Sequence, residues 1–286
     1  MNKIGMIYKE NGSRIEYTVQ GTGPAVLVLH GGHSSCREQL GYAELLNAGY
    51  SIITPSRSGY GETTSACGAS LETAAANWIQ VLDECSIHRA PVIAMSAGGP
   101  EGIALAALYP KRVKCLILQS AVTKKWLTPA DREYTAAQLL FNRYTEKGTW
   151  RLLSAASRIS PGLVYRMMSS SFSTLSYEEI ATATLPEDIP AFTQMIRRQR
   201  SKTGFLNDIA LADQCTPGLL QKIICPVLVQ HSQNDASVNI AHMYHVGNHV
   251  PKAELQPLNT WGHLIWMGNH SDQMKKTLKQ FLKTYS

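Results

Sequence analysis

The stretch Val92-Ile93-Ala94-Met95-Ser96-Ala97-Gly98 places a serine between an apolar run and a glycine. This pattern predicts a strand that turns sharply into a helix, with the serine at the apex of the turn. Such a turn strains the serine backbone, requires small neighbours and leaves the hydroxyl free. Because a serine hydroxyl is a poor nucleophile until a base removes its proton, the next question is whether the chain supplies a base.

A candidate base and a candidate acid follow two later strand-like runs. Asp235 comes shortly after the apolar run 226–229, and His263 lies in the turn Thr260-Trp261-Gly262-His263. The chain order Ser96, Asp235, His263 is the order expected for this type of serine turn. We therefore predict that Ser96 is the nucleophile and that His263 is its base and later its acid. Asp235 would hold the imidazole tautomer and stabilise the imidazolium.

Backbone donors for an oxyanion are predicted beside the serine. The apolar run 26–29 leads into the turn His30-Gly31-Gly32. Backbone N–H groups in such a Gly-rich turn can face a developing negative charge. We predict that the N–H groups of Gly32 and Ala97 form the oxyanion hole, with His33 as the alternative to Gly32. His30 itself is expected to pack the loop rather than to act as a base.

Together these pieces resemble the α/β-hydrolase fold of serine hydrolases. The matching segments occur in the right order and are His30-Gly31-Gly32, Ser56-Arg57-Ser58-Gly59-Tyr60-Gly61, Ala94-Met95-Ser96-Ala97-Gly98-Gly99, Asp235 and Gly262-His263. The resemblance implies a Ser-His-Asp catalytic triad. Its main departure is Ala94, where the family usually has Gly, although some members have Ala. The serine argues against dehalogenase and epoxide hydrolase chemistry, whose family members use Asp at this place.

The distribution of apolar runs predicts an α/β protein. Strand-like runs occur at 4–8, 15–19, 25–29, 52–54, 92–95, 113–118, 227–230 and 253–258. The first two are predicted to pair through a turn at Asn11-Gly12, and several later runs are apolar throughout, as expected of strands covered on both faces. Helical patterns separate them, for example at 71–85 and 98–109. The predicted site residues all follow strands, so they should meet at the carboxyl edge of one sheet.

The alternation of strand and helix breaks between residues 123 and 215, where the pattern is helical and interrupted by prolines and glycines. We predict that residues 1–122 and 216–286 form an α/β-hydrolase core with a mostly parallel, eight-stranded sheet flanked by helices. Residues 123–215 are predicted to be a helical cap inserted after the sixth strand. The resemblance implies that this cap shapes the substrate pocket.

Composition and charge narrow the range of partners. The chain has 286 residues, of which 44% are hydrophobic and 17% charged, as in an ordinary folded protein. Its net charge is +6. The basic cluster at 197–202 fits the end of a predicted helix, and the one at 275–283 fits the solvent-exposed face of an amphipathic helix. No apolar run approaches the length of a membrane span, and the N-terminus lacks the apolar region of a signal peptide. We expect a cytoplasmic protein with a small-molecule substrate, without nucleic acid or membrane partners. The oligomeric state stays open.

Histidines and cysteines outside the predicted triad indicate no second site. His242, His245 and His249 fall near one helix face, but zinc sites usually have a tighter constellation, so a polar helix face is the preferred interpretation. Cys36 follows the predicted oxyanion loop without a base paired to it in the sequence, and we expect a partly buried thiol. Nucleotide-binding motifs do not occur. We expect neither a metal nor a cofactor.

The predicted reaction is hydrolysis of a small carboxylic ester through an acyl-enzyme on Ser96. Amides, thioesters and carbon–carbon bonds of diketone-type substrates are related targets for the same groups. Two alternatives remain: a C–C bond hydrolase or lyase of this fold, and a ligand-binding protein of this fold that does not catalyse.

Overall fold

An eight-stranded sheet forms the centre of the protein, in the order β1-β2-β4-β3-β5-β6-β7-β8. The computed structural model describes residues 2–286. The strands are β1 (Asn2–Tyr8), β2 (Arg14–Gln20), β3 (Ala25–Leu29), β4 (Ser51–Pro55), β5 (Ala90–Met95), β6 (Val113–Gln119), β7 (Val227–Ser232) and β8 (Ala253–Leu258). The β1–β2 and β2–β4 pairs are antiparallel and the others are parallel. The predicted mostly parallel, eight-stranded sheet is confirmed.

Helices cover both faces of this sheet. They are α1 (Ala43–Asn47), α2 (Leu71–Glu84), α3 (Gly99–Leu108), α10 (Pro217–Leu220), α11 (Ala241–His249) and α12 (Asp272–Tyr285). On β3, Leu27 and Leu29 pack with α2 and α3, whereas Val26 and Val28 pack with α1 and α12. Because side chains alternate across a strand, a run that is apolar at every position is buried on both faces, as the sequence predicted.

The ends of the helices follow from local chemistry. Ser70 caps α2 by accepting a hydrogen bond from the backbone N–H of Thr73 at 3.2 Å. Pro100 lies in the first turn of α3, where its missing N–H costs nothing, and the helix ends before Pro110. The sequence pattern did not predict α1, since five residues are too few to show a helical period.

Six further helices lie between β6 and β7. They are α4 (Arg132–Leu140), α5 (Glu146–Ile159), α6 (Pro161–Ser169), α7 (Tyr177–Ala183), α8 (Asp188–Arg198) and α9 (Gly204–Ala212). A small apolar cluster of their own, which includes Trp150, Tyr165 and Phe192, also contains Trp261 from the segment after β8. We call residues 123–215 the helical insertion; its role as a cap domain stays a prediction.

None of the helices within residues 2–286 has both the length and the apolar character needed to cross a membrane.

Candidate active site

Ser96 stands at the turn between β5 and α3 with a φ of 50°, in the left-handed region that a serine rarely adopts. The surroundings leave no room for side chains at the next two glycines. A Cβ on Gly98 would lie 2.7 Å from the carbonyl oxygen of Leu29, and a Cβ on Gly99 would overlap the carbonyl oxygen of Val122. The turn therefore holds the serine hydroxyl in a fixed place, as the predicted strand–turn–helix pattern requires.

The alanine that departs from the family pattern has a structural explanation. Ala94 is the next-to-last residue of β5, and its methyl group faces Gly102 in α3. A Cβ on Gly102 would lie 2.5 Å from the Cβ of Ala94. The helix therefore has a glycine where the strand has the larger residue, and the two elements still pack closely.

The structure brings Ser96, His263 and Asp235 into one hydrogen-bonded chain. The Oγ of Ser96 lies 2.9 Å from Nε2 of His263, and Nδ1 of His263 lies 2.7 Å from Oδ2 of Asp235. Because a carboxylate only accepts hydrogen bonds, Nδ1 carries the ring proton, and Nε2 is free to accept the serine proton. Ser120, directly after β6, adds support, since its hydroxyl donates to the carbonyl oxygen of His263 at 2.9 Å.

Asp235 is held by hydrogen bonds on both carboxylate oxygens. Oδ1 accepts the backbone N–H groups of Ser237 at 2.9 Å and Val238 at 2.8 Å. Oδ2 faces His263 and, at 3.2 Å, also Nε2 of His231. Burial alone would raise the pKa of Asp235. The neighbouring His263 and the hydrogen bonds from both histidines outweigh it and lower the pKa to about 2. The group is thus ionised at neutral pH.

The loop after β3 lies directly against the serine turn. A Cβ on Gly31 would lie 3.2 Å from the Cβ of Ser96, and one on Gly32 would lie 3.8 Å from the Cβ of Ala97. The backbone N–H of His33 donates to the hydroxyl of Tyr60 at 3.2 Å. That bond occupies the alternative donor and favours Gly32 as the first oxyanion donor. Ala97 lies in the 3-10 turn Ser96–Gly98, where the first N–H groups of a helix lack partners within the helix.

A fully buried arginine after β4 connects this loop to two helices. The Nε of Arg57 donates to the carbonyl oxygen of His30 at 2.6 Å, and its backbone N–H donates to the ring of His30 at 2.9 Å. The guanidinium also donates to both carboxylate oxygens of Asp208 in α9, at 2.6 and 2.7 Å, and to Glu101 in α3 at 3.0 Å. Arg57 thereby fixes the predicted oxyanion loop to the helix that follows Ser96 and to the helical insertion.

This arginine faces more negative charge than it can neutralise. Asp208 forms the two shorter bonds and also accepts the hydroxyl of Tyr60 at 2.6 Å. Glu101 has one longer bond to Arg57 and accepts the indole N–H of Trp78 at 2.8 Å. Burial raises the pKa of Glu101 to about 7 against the attraction of Arg57. Glu101 is therefore the carboxyl that gains or loses its proton near neutral pH.

The helical insertion also contacts the loops of the candidate site through a short segment, residues 172–174, which contains one isolated bridge from Ser173 to Asp235. The carbonyl oxygen of Phe172 accepts the backbone N–H of His263 at 2.8 Å, and the N–H of Thr174 donates to the carbonyl oxygen of Asn234 at 2.9 Å. A Cβ on Gly262 would overlap the carbonyl oxygen of Phe172. The glycine before the histidine is thus required by this contact. The sequence pattern did not indicate the segment.

Aromatic side chains form a wall beside the predicted oxyanion donors. The ring of Phe205 would lie 3.1 Å from a Cβ on Gly32, and the imidazole of His33 stacks on Phe205 at 3.9 Å between ring centres. Phe141 and Trp150 lie 4.4 and 5.1 Å from the same imidazole. Burial lowers the pKa of His33 to about 3 against the opposing charge of Glu146, so this wall is uncharged at neutral pH.

The other histidines and the cysteine considered from the sequence have structural roles. The ring of His242 is buried and accepts the backbone N–H of Thr123 at 3.0 Å, while His245 and His249 contact each other at 4.6 Å between ring centres. Among the residues of the described range 2–286, no three His, Cys, Asp or Glu side chains are grouped so as to hold a metal. Cys36 is fully buried, and burial raises the pKa of its thiol to about 12.

Comparison with known proteins identifies the family. A sequence profile described as the alpha/beta hydrolase fold matches residues 24–269. The chain belongs to the α/β-hydrolase family. It is 46% identical over 274 residues to the Uncharacterized hydrolase YcgS of Bacillus subtilis, and the match covers 96% of both chains.

Two more distant matches extend the comparison. A 2-hydroxy-6-oxononadienedioate/2-hydroxy-6-oxononatrienedioate hydrolase of Burkholderia vietnamiensis is 24% identical, with 94% of this chain and 91% of that protein covered. The solved structure of an alpha/beta hydrolase fold protein from Nakamurella multipartita superposes with a TM-score of 0.85, covering 99% of this chain and 100% of the other, at 23% identity. Family and relatives support an enzyme of the α/β-hydrolase class that acts on a small molecule.

Proposed function

We propose that this α/β hydrolase cleaves a small, uncharged carboxylic ester through an acyl-enzyme on Ser96. The observation that carries the proposal is the continuous chain from the Ser96 hydroxyl through His263 to Asp235, with separations of 2.9 and 2.7 Å. Both separations are in the range for hydrogen bonds between a nucleophile, its base and the group that orients the base. The pairing therefore needs no rearrangement before a substrate binds.

The first half of the reaction forms the acyl-enzyme. Nε2 of His263 takes the hydroxyl proton as Oγ of Ser96 attacks the ester carbonyl carbon. Asp235 stabilises the imidazolium through the Nδ1–H bond. The carbonyl oxygen becomes an oxyanion that accepts the N–H groups of Gly32 and Ala97. Collapse of the tetrahedral intermediate breaks the bond to the alcohol oxygen, and His263 returns the proton to that oxygen.

The second half of the reaction repeats these steps with water. His263 removes a proton from the water as its oxygen attacks the acyl carbon, and the same two N–H groups face the second oxyanion. Collapse of the second intermediate releases the carboxylic acid, and Ser96 regains its proton from His263. Each oxyanion donor is expected to contribute about 10²–10³ in rate, as donors of this kind do in other hydrolases.

The electrostatics of the wall beside Gly32 favour an uncharged acyl or alcohol group. The side chains there are aromatic, and the two arginines that bond to the loop 30–33 are already engaged. Arg57 is paired with Asp208, and Arg200 is paired with Glu146 at 2.7 Å. A substrate carboxylate would therefore meet aromatic rings instead of a free cation, at the cost of its hydration.

Carbon–carbon bond hydrolysis is the second candidate. The Burkholderia relative, which is named as a 2-hydroxy-6-oxononadienedioate/2-hydroxy-6-oxononatrienedioate hydrolase, matches along nearly the whole chain. The same Ser-His-Asp arrangement can serve that chemistry. The paired arginines count against dianionic substrates of that kind, so the ester remains the preferred substrate class.

A panel of p-nitrophenyl esters of increasing acyl length tests the proposal. We expect turnover of at least the short esters, labelling by a fluorophosphonate probe, and loss of both in Ser96→Ala. Ser58→Ala is the matched control, because the Ser58 hydroxyl is buried without a hydrogen-bond partner in the described structure and its removal leaves the chain Ser96–His263–Asp235 intact. Rapid cleavage of a vinylogous 1,5-diketone without esterase activity would favour the second candidate. A wild-type protein that neither labels nor turns over any substrate would indicate a ligand-binding protein.

A further inference from the structure

A second histidine, besides His263, contacts the carboxylate of Asp235. His231 lies near the end of β7, four residues before Asp235, and is fully buried. Its Nε2 lies 2.7 Å from the carbonyl oxygen of Val238 and 3.2 Å from Oδ2 of Asp235. Oδ2 is the same oxygen that faces Nδ1 of His263 at 2.7 Å. Two imidazoles therefore share one carboxylate oxygen.

The partners of His231 fix which nitrogen carries its proton. The carbonyl oxygen of Val238 only accepts, so Nε2 must be the N–H donor. Its hydrogen bond goes to Val238, and Oδ2 of Asp235 is a second, longer contact at 3.2 Å. Nδ1 is buried without a hydrogen-bond partner in the described structure. A second proton there would be a buried donor without an acceptor, which is unfavourable. The ring thus acts as a neutral N–H donor toward Asp235.

Few other titratable groups act on this cluster. His263 approaches from the segment after β8, and His242 approaches from α11. Burial lowers the pKa of His242 to about 3, with a further contribution from Lys124 after β6, so His242 stays neutral in the working range. With His242 neutral, His263 is the imidazole whose charge changes during the proposed reaction, so a change at the Asp235 carboxylate should alter the basicity of His263.

We propose that His231 is a positioning residue for this reaction, which it serves by holding the loop 235–238 and drawing electron density from Oδ2 of Asp235. This inference rests on the proposed triad. The N–H of His231 fixes the carboxylate orientation that His263 requires. It also competes for Oδ2, so it weakens the attraction between Asp235 and a protonated His263. Loss of this donor should raise the basicity of His263 and disturb its orientation at the same time.

The test compares His231→Leu, which removes the donor, with His231→Gln, whose amide N–H can replace Nε2–H. We expect kcat to fall about ten-fold in the leucine variant, in line with the loss of one hydrogen bond to a charged group, while KM stays within about two-fold. In the plot of kcat/KM against pH, the acid limb should move to higher pH, because His263, the proposed base, is protonated more readily. The glutamine variant should recover both values. If His231→Leu does not fold, His231→Asn takes its place, since its shorter amide cannot reach Oδ2.

Two controls separate a positioning role from a general loss of packing. His242→Asn perturbs a neighbouring buried histidine that makes no bond to Asp235, and it should leave the acid limb in place. In the Asp235→Asn background, His231→Leu should have almost no further effect, because the carboxylate through which it acts is gone. An unchanged acid limb in His231→Leu, or a full additional loss in the double variant, would overturn the inference. Activity that survives Ser96→Ala would instead overturn the proposed function.

Discussion

The buried cluster of Arg57, Asp208 and Glu101 gives a quantitative prediction about stability. Removing one partner of a buried ion pair typically costs about 3–5 kcal/mol, because the other charge is left uncompensated. In Asp208→Asn, however, Glu101 remains 3.0 Å from Arg57 and can ionise as a replacement. We therefore expect Asp208→Asn to lower the free energy of unfolding by about 3 kcal/mol, the lower end of that range, because two charge-assisted hydrogen bonds are lost.

The matched variant Glu101→Gln should behave differently. It removes the surplus negative charge, keeps an acceptor for the indole N–H of Trp78, and leaves Arg57 paired with Asp208. We expect a loss of no more than about 1 kcal/mol. The double variant leaves Arg57 without any counter-charge and should lose clearly more than the sum of the single losses. Urea unfolding at pH 8, followed by tryptophan fluorescence, measures all three.

The same cluster predicts a pH dependence of stability. The pKa of Glu101 is raised in the folded protein to about 7, from an ordinary value of 4.5. Between these values the folded state binds more protons than the unfolded state, so its stability falls as pH rises through this window. With about 1.4 kcal/mol per pKa unit, the upper limit of the loss is about 3 kcal/mol. Glu101→Gln should abolish this slope. An unchanged slope, or a loss in Glu101→Gln equal to that in Asp208→Asn, would refute the assigned charge states.

Further predictions concern the site and its surroundings. Asp235→Asn should fold normally but lose about 10⁴-fold in kcat, because an amide N–H toward His263 stabilises the wrong tautomer; near-normal turnover would remove Asp235 from the mechanism. Gly262→Ala should cost about 1–3 kcal/mol and lower kcat, since its Cβ would overlap Phe172. By contrast, Gly148→Ala in α5, where a Cβ meets nothing within 4 Å, should stabilise by about 0.5–1 kcal/mol; thermal melts decide both. Iodoacetamide at pH 7.5 should leave activity intact, because the buried Cys36 is almost entirely protonated, and mass spectrometry of treated protein checks this.

The fold was predictable because its signals are local. The central strands are short runs rich in apolar residues, and the turn at Ser96 needs small residues at fixed positions next to it. Asp235 and His263 could be found because each follows a strand and their order along the chain is restricted. Their contact is then a consequence of the parallel sheet, whose carboxyl ends meet at one edge.

The supporting residues were not predictable in this way. Arg57 lies in the segment 56–61, which resembles the family pattern. Nothing in the local sequence connects it with Asp208, which lies in a helix of the insertion. Phe172 contributes its carbonyl oxygen, a group that every residue has. His231 offered the one usable signal, a histidine four residues before the predicted acid at the end of a strand. Its meaning depends on a loop that folds back to place Val238 beside it.

The segment 172–174 has a consequence for how substrates reach the serine. Its bonds to the loops of His263 and Asn234 run through the backbone, so no change of side chain removes them. If residues 123–215 swung away as one body, the histidine would lose a backbone partner in the same movement. We therefore expect substrates to enter and leave through movements of individual helices that keep the hydrogen bond between Phe172 and His263.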